Sequence, residues 1–268
     1  MEKARMLDIV LRTSYQKGVS DLTRIKNIDR NELTLKSIIS LVTSISLCKK
    51  PVKLHIIDDH GGDEFLDKLR RILTNYNISN YDIISLNQTG QNFSALEQFR
   101  WGKDYAKGLV YFVDDDYLHA PDAIETMLSA FETFQRLSGL NPIAIYPFDN
   151  VSMYLPDRMS PTRLFYFENR LWRGTKASTN TMLIHSNLVR SFWKIFEHLA
   201  MNFGKDDAVT MDTTINKLWN NTVDIGGPVC LFSPIPSIAI HLSQHNPIKL
   251  NTSLNDWEAD YAAIKLPE

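Results

Sequence analysis

Three consecutive carboxylates, Asp114, Asp115 and Asp116, carry the clearest chemistry in the sequence, because they directly follow the apolar run of residues 109–113. That β-favouring run predicts a buried strand of a parallel sheet, and ligands bind at the carboxyl ends of such strands. Adjacent carboxylates repel one another without a cation, and hard oxygen ligands suit Mg²⁺ or Mn²⁺. Since Mg²⁺ often completes its coordination with substrate phosphates, the pattern predicts a phosphate-bearing substrate. A solvated acidic turn is the alternative.

Two further polar groups end predicted strands at the same edge of the sheet. Asp58 and Asp59 close the second predicted strand, where carboxylates can accept hydrogen bonds from a base N–H or a ribose hydroxyl. Capping of the next helix across the following glycine pair is the alternative for one of them. Arg12 and Thr13 end the first strand, where the arginine is a candidate for base stacking or diphosphate binding.

The elements that must position these residues alternate between strand and helix patterns in the first half of the chain. Strands are predicted at 8–12, 52–57, 83–86 and 109–113. Helices are predicted around 35–45, around 65–76 with Asp63 as cap, after a capping box of Ser94 and Glu97, and behind Pro121. This alternation predicts a parallel sheet with right-handed crossovers.

The second half of the chain is less regular. Strands are predicted at 143–146, 181–185, 229–232 and 237–241, with helices after Ser186 and around 215–218. Residues 151–176 form a long irregular stretch, and loops of this length inside a compact domain are usually functional. A polar tail from about residue 246 carries a short helical pattern near Trp257 and Tyr261.

Composition sets broad limits on function. The chain has 268 residues, of which 44% are hydrophobic and 22% are charged, which is typical of a soluble globular protein. The net charge of -2 excludes a global basic field for nucleic acid, although a local patch stays open. Cys48 and Cys230 lack metal-ligand spacing and are predicted to be buried thiols, so we expect a cytoplasmic protein. No apolar stretch reaches membrane-spanning length, which leaves peripheral membrane contact open.

These motifs together resemble the nucleotide-sugar-binding core of family-2-type glycosyltransferases of the GT-A fold. The matching residues are Gly90-Gln91-Asn92-Phe93-Ser94-Ala95, a helix, the strand ending in Asp114–Asp116, and Ala120-Pro121-Asp122-Ala123-Ile124. An earlier segment, Leu54 to Gly61, resembles the family's second strand and its Asp–Gly–Ser-like turn, with His60 and two glycines in place of Gly-Ser. The resemblance covers the first half of the chain well and the acceptor half in outline.

The resemblance implies an α/β protein of the GT-A fold, with a Rossmann-like, mostly parallel central sheet flanked by helices and a smaller mixed acceptor-side subregion. It also implies a single domain over residues 1–268. The nucleotide-sugar-binding half then occupies about 1–120, the acceptor half about 121–245, and the C-terminal tail 246–268.

The family pattern assigns roles to the acidic cluster. Asp114 and Asp116 form the Asp-x-Asp pair, with Asp116 as the principal metal ligand and Asp114 as a nucleotide contact and second metal candidate. Asp115 is either a further nucleotide contact or a solvent-facing neighbour, and Asn92 belongs to the nucleotide-binding segment. His241 ends a predicted strand and matches a late histidine that returns to the metal, since an imidazole can bind Mn²⁺ beside carboxylates. A hydrogen-bonded histidine at a strand end is the alternative.

The catalytic base is expected among the acids of the acceptor half. Asp206 and Asp207 replace the family's usual Glu-Asp pair, with Asp212 nearby. Two adjacent acids raise one pKa by mutual repulsion, which suits a general base, and we favour Asp207, then Asp206, then Asp212. Simple capping of the next helix is the alternative for one of them.

The acceptor site is expected in the stretch from Arg158 to Lys176, which mixes cations and aromatic rings. Trp172, Arg173 and Tyr166 are the candidates, because aromatic faces suit sugar rings and arginines suit phosphate. A strand pair with ordinary core aromatics is the alternative.

The sequence therefore predicts an enzyme that uses Mn²⁺ or Mg²⁺ to transfer a sugar from a nucleoside-diphosphate sugar, of UDP type, to an acceptor hydroxyl with inversion. The acceptor is left open between a glycan, a lipid-linked glycan, a protein and a modified nucleic acid. A sugar-1-phosphate nucleotidyltransferase is one alternative, although residues 12–18 lack its glycine-rich basic loop. A non-catalytic module that binds sugar or nucleic acid is the other.

Overall fold

The computed structural model of the chain describes residues 6–14, 29–139, 142–149, 163–176, 178–202, 215–219, 229–242 and 256–267. Within these ranges, parallel strands and helices alternate in the first half, as the sequence predicts. The candidate bases Asp206, Asp207 and Asp212, together with Arg158, lie outside the described residues.

Two sheets are present among the described residues. The strands are β1 Leu7–Ser14, β2 Val52–Asp59, β3 Tyr81–Ser85, β4 Leu109–Asp114, β5 Tyr117–His119, β6 Ile143–Ile145, β7 Leu164–Phe167, β8 Arg170–Thr175, β9 Met182–His185, β10 Cys230–Ile235 and β11 Ala239–His241. The large sheet has the order β3-β2-β1-β4-β9-β6-β10-β8-β7, and β11 pairs with β5 in a small sheet.

The large sheet is mostly parallel in direction. β1 pairs in parallel with β2 and β4, and β2 with β3, which builds the predicted parallel core of the first half. β9 runs antiparallel between β4 and β6, so β6 and its parallel neighbour β10 point the same way as β4. β8 and β7 complete the far edge as an antiparallel hairpin on β10. One continuous sheet thus joins the described strands of both halves of the chain.

Helices cover both faces of this sheet. The described helices are α1 Arg30–Leu47, α2 Gly62–Asn75, α3 Gln91–Asp104, α4 Ala123–Ser138, α5 Ser186–Ser191, α6 Trp193–Met201, α7 Asn216–Trp219 and α8 Trp257–Ala263. Helix α3 packs on β1, β2 and β4, where Phe99 meets Phe112 edge to face with ring centroids 5.0 Å apart. β1, β2 and β4 are mainly apolar on both faces, as expected where helices cover both sides, and their buried polar exceptions include Asp8 on β1 and His55 on β2.

Several predicted features differ in detail. Helix α3 begins at Gln91 after Gly90, so Ser94 lies inside the helix and donates its hydroxyl back to main-chain carbonyls instead of forming a capping box. Helix α2 has Gly61 at its cap and Asp63 in its first turn. The stretch around 164–175, predicted to be irregular with a strand pair as the alternative, contains the β7–β8 hairpin, so the alternative is correct there.

The cysteines also differ from the prediction, since both free thiols are only half-buried. No helix within the described ranges is long and apolar enough to cross a lipid bilayer.

Candidate functional site

The carboxyl ends of three neighbouring parallel strands bring the predicted donor-site residues to one edge of the sheet. Arg12 pairs with Asp114 in the β1–β4 register, and Thr13 pairs with Asp58 in the β1–β2 register. Sequence-distant polar residues therefore lie side by side at this edge, as the parallel topology requires.

Asp114 is held by an arginine from the adjacent strand. The Nε of Arg12 donates to Asp114 Oδ1 at 3.0 Å, and both side chains are buried. Burial disfavours the charged guanidinium, but the neighbouring carboxylate outweighs it and raises the pKa of Arg12. Arg12 and Asp114 therefore neutralise each other. Arg12 was predicted to bind a diphosphate or base, and Asp114 a metal or nucleotide, so either role would have to compete with this ion pair.

Asp115 is enclosed by three donors. Arg30 Nη2 lies 2.9 Å from Oδ1, while the Ser14 amide and the Thr34 hydroxyl donate to Oδ2 at 2.9 Å and 3.3 Å. The residue is 4% exposed, so the solvent-facing alternative for Asp115 is wrong. Burial raises the pKa of its carboxyl, against the opposing charge of Arg30. This carboxylate ties the start of α1 to the end of β1.

Asp116 differs from both neighbours. Its Oδ2 lies 2.9 Å from His241 Nε2, whereas its Oδ1 is buried without a hydrogen-bond partner in the described part of the chain. Burial alone would raise the pKa of Asp116, but His241, Arg30 and Arg12 hold it well below its usual range. A buried carboxylate oxygen without a donor is costly, which makes this atom a candidate ligand for a cation.

The small sheet positions His241 against Asp116. Tyr117 and His241 are register partners of β5 and β11, and their rings stack with centroids 4.8 Å apart. The Leu242 amide also donates to the Asp116 carbonyl at 2.8 Å. The predicted Asp116 and His241 candidates therefore meet in space, 125 positions apart in sequence.

Asp58 and Asp59 are both engaged at the end of β2. Asp58 accepts the Thr13 hydroxyl and the Gly61 amide at 3.2 Å each, which favours the turn-capping alternative for this residue. Burial raises the pKa of Asp58. Asp59 accepts the Gly90 amide at 3.1 Å and contacts the His60 ring at 3.0 Å, so it joins two loops of the site.

Asn92, predicted to bind the nucleotide, donates its amide to the Met201 carbonyl at 3.0 Å. This bond links the start of α3 to the end of α6. No described group of three or more histidine, cysteine, aspartate or glutamate side chains could hold a metal ion by itself.

The predicted acceptor residues lie apart from the aspartates. β8, which carries Trp172 and Arg173, is four strand spacings from β4, or about 19 Å. Trp172 is buried against Phe134, which favours the core alternative for this side chain. Arg173 forms a buried ion pair with Asp149 at 2.6 Å, and Tyr166 is exposed beside the β7–β8 turn.

Sequence reasoning missed three residues at the site. Arg30 contacts Asp115, and Tyr117 stacks on His241. No local sequence pattern indicates either contact. Asn180 is buried, and both polar atoms of its amide lack a hydrogen-bond partner among the described residues. It lies between Thr179, which contacts the Tyr117 hydroxyl, and Thr181, which accepts the Asp114 amide.

The sequence matches the model of glycosyl transferase family 2 over residues 30–196, which is more than half of the chain. No curated protein sequence matches significantly.

Solved structures with similar coordinates have low sequence identity. Residues 1–349 of S. aureus TarS match with a TM-score of 0.48 and 14% identity, covering 85% of this chain and 59% of that chain. A mannosyltransferase, PcManGT from Pyrobaculum calidifontis in complex with GDP-Man and Mn²⁺, matches with a TM-score of 0.47 and 11% identity, covering 84% and 56%. A 4-diphosphocytidyl-2C-methyl-D-erythritol synthase from Anaerococcus prevotii matches with a TM-score of 0.45 and 13% identity, covering 97% and 96%. The chain thus spans less than two thirds of the length of the TarS and PcManGT chains.

Proposed function

Because the chain belongs to glycosyl transferase family 2, we propose that it transfers a sugar from a nucleoside-diphosphate sugar to an acceptor hydroxyl, with a divalent cation as cofactor. The observation that carries the metal dependence is Asp116, whose Oδ1 is buried without a hydrogen-bond partner in the described ranges. Its other oxygen already faces His241. We propose a UDP-sugar as the donor and inversion at the anomeric carbon.

The residues present fit a cation for which the protein supplies only some of the ligands. Asp116 and His241 supply one carboxylate and one imidazole, a donor pair suited to Mn²⁺ or Mg²⁺ when oxygen ligands complete the set. A site built from few protein ligands leaves room for the substrate diphosphate. When bound, the cation supplies positive charge that stabilises the leaving diphosphate.

The neighbouring residues have positioning roles in this proposal. Arg12 neutralises Asp114 and Arg30 neutralises Asp115, so Asp116 is the carboxylate left for a cation. The loops joined by Asp59 and Gly90 then form the wall at which Asp59 and Asn92 contact the nucleotide, while Thr13 and Asp58 hold the turn behind it.

The proposed reaction also needs a base near the acceptor hydroxyl. Asp207 is our first candidate, followed by Asp206 and Asp212, since an acid that takes this proton must lie within hydrogen-bond reach of it. The acceptor itself belongs to one of four classes, a glycan, a lipid-linked glycan, a protein or a modified nucleic acid.

The test measures UDP binding and UDP-sugar turnover with Mn²⁺, with EDTA, and in the Asp116→Asn variant. We expect EDTA to abolish turnover and Asp116→Asn to weaken Mn²⁺-dependent UDP binding at least about tenfold. The matched control is Asp67→Asn, because Asp67 is exposed on α2 and pairs only with a nearby arginine among the described residues. Turnover that is unaffected by both EDTA and Asp116→Asn would overturn the proposed metal role.

A further inference from the structure

A row of polar side chains crosses the sheet face that packs against α3. His55 on β2 is the register partner of Val10 on β1 and of Asp82 on β3. Its Nδ1 lies 2.6 Å from Asp82 Oδ2, and its Nε2 lies 3.2 Å from Asp8 Oδ1. Strands of a parallel sheet are normally apolar on both faces, so three titratable side chains on adjacent strands are unusual there.

Two members of the row are buried, whereas the side chain of Asp82, on the edge strand β3, is 37% exposed. His55 is 1% exposed and Asp8 is 8% exposed. The ring of Trp101, on α3, covers His55 with centroids 3.6 Å apart and an interplanar angle of 32°. Burying polar groups is costly unless they are hydrogen-bonded, and here each ring nitrogen of His55 lies within hydrogen-bond distance of a carboxylate oxygen.

The row borders a cavity of about 840 Å³ at the amino ends of the strands. The carboxyl ends of β1, β2 and β4, where the proposed donor site lies, form the donor edge of the sheet. Asp8 is about 20 Å along β1 from Ser14, which lies at this edge. The cavity is therefore distinct from the site at Asp114–Asp116. Tyr105, whose ring centroid is 5.8 Å from that of Trp101, extends the aromatic surface to the rim, where it is 67% exposed.

The charges that line the cavity cancel. Two aspartates, Asp8 and Asp82, face two lysines, Lys53 and Lys107, and Lys53 lies 3.1 Å from Asp82. An anionic ligand would meet two carboxylates and a cationic ligand two ammonium groups, so the lining favours a neutral ligand. Carboxylates accept and ammonium groups donate hydrogen bonds, which matches hydroxyl groups that do both.

We propose that this cavity binds a neutral saccharide, whose ring packs on Trp101 and Tyr105 while its hydroxyls bond to Asp8 and Lys107. Its biological purpose rests on the proposed function, because a glycan acceptor of several sugar units would reach both edges of the sheet. The site then anchors a distant unit of the acceptor while another unit reacts at the donor edge.

The test follows the indole N–H resonances of the intact protein by NMR during titration with glucose, galactose, mannose and N-acetylglucosamine. Trp101→Phe assigns the Trp101 signal. Trp193 is the internal control, because it lies near α3 under Lys103 and outside the cavity lining. We expect at least one neutral sugar to shift Trp101 and leave Trp193 unchanged, and glucose 6-phosphate to bind more weakly than glucose.

Substitutions of residues that line the cavity test whether the saccharide binds there. Tyr105→Ala alters an exposed side chain, so the protein should stay folded, and we expect about tenfold weaker saccharide binding. Asp8→Asn should weaken it as well, whereas Asp116→Asn should not. Saccharide affinity unchanged in both Tyr105→Ala and Asp8→Asn, tighter binding of glucose 6-phosphate, or no Trp101 shift with any sugar would overturn the inference.

Nucleotide binding separates this inference from the proposed function. If the protein binds UDP with Mn²⁺ but binds none of the four sugars, the result supports the proposed function and contradicts the saccharide site. Sugar binding at Trp101 without any UDP binding would support the saccharide site and contradict the proposed function.

Discussion

At the scale of single residues, the three adjacent aspartates have the same chemistry and three different surroundings. Asp114 meets an arginine of the neighbouring strand, Asp115 is enclosed by Arg30 and two further donors, and Asp116 keeps an oxygen without a described partner. Removing a paired carboxylate leaves its buried partner without a counter-charge, whereas removing the unpaired one does not. We therefore expect Asp114 and Asp115 to matter for stability and Asp116 for ligand binding.

Asp115 should therefore matter for stability. Replacing Asp115 with Ala leaves Arg30 and the Ser14 amide without their buried acceptor, and we expect a loss of about 3 kcal/mol in the free energy of unfolding. Urea titration followed by circular dichroism measures it. Asp67→Ala, which removes an exposed pair with Arg70, should cost less than about 0.5 kcal/mol. Equal losses in the two variants would contradict the structural role of Asp115.

His119 should make stability depend on pH. It is buried in β5 with its Nε2 2.8 Å from the Tyr111 hydroxyl, and burial lowers its pKa from 6.5 to about 3. Between these values the unfolded chain binds a proton that the folded chain does not, so stability falls as the pH drops. The stability advantage of wild type over His119→Gln should shrink by about 2 kcal/mol between pH 7 and pH 5. A pH-independent difference in urea titrations would argue against this assignment.

The residue types of the donor edge could be predicted from the sequence, but their partners could not. An apolar run ending in aspartates indicates the carboxyl end of a strand, and this is a local signal. Arg30 and His241 lie 85 and 125 positions from the aspartates that they contact, so only the folded topology pairs them. The contacts of His55 with Asp8 and Asp82 could not be predicted for the same reason, because these residues are far apart in sequence. The local indication was a histidine within the apolar β2 run.

At the scale of elements, α3 approaches β4 closely at Gly102. A Cβ at this position would lie 2.4 Å from Cζ of Phe112, which is fully buried. Alanine usually stabilises a helix relative to glycine by about 1 kcal/mol, but we expect Gly102→Ala to destabilise the protein by about 1–2 kcal/mol through overpacking.

Urea titrations of Gly102→Ala, Phe112→Leu and the double variant form the cycle that checks this. The smaller leucine should relieve the clash, so the double variant should be more stable than the two single losses together predict. Additive losses would mean that the two residues do not compete for space.

Element boundaries followed the sequence where apolar periodicity was strong and failed where aromatic residues were dense. β1 to β4 and their helices appear in the predicted order, since each strand is a short apolar run with a polar end. The β7–β8 hairpin was only the alternative interpretation of its stretch, because its turn, Glu168-Asn169, uses positive φ angles at two residues that give no glycine signal.

At the scale of the whole molecule, the nine-stranded sheet links both halves of the chain. Four of the five tryptophans follow residue 150, so tryptophan fluorescence mainly reports the second half, whereas far-UV circular dichroism reports both. Because β9 lies between β4 and β6, we expect the two signals to change together in one urea transition. Two separated midpoints would mean that the halves unfold independently.

The insertion of β9 has a consequence for biosynthesis. β4 forms its final edge contact with a strand that leaves the ribosome only after residue 185 has been translated. Until then the nascent chain exposes the backbone of a hydrophobic strand to pairing with other polypeptides. We therefore expect ribosome-bound intermediates that end before β9 to aggregate more readily than the complete chain.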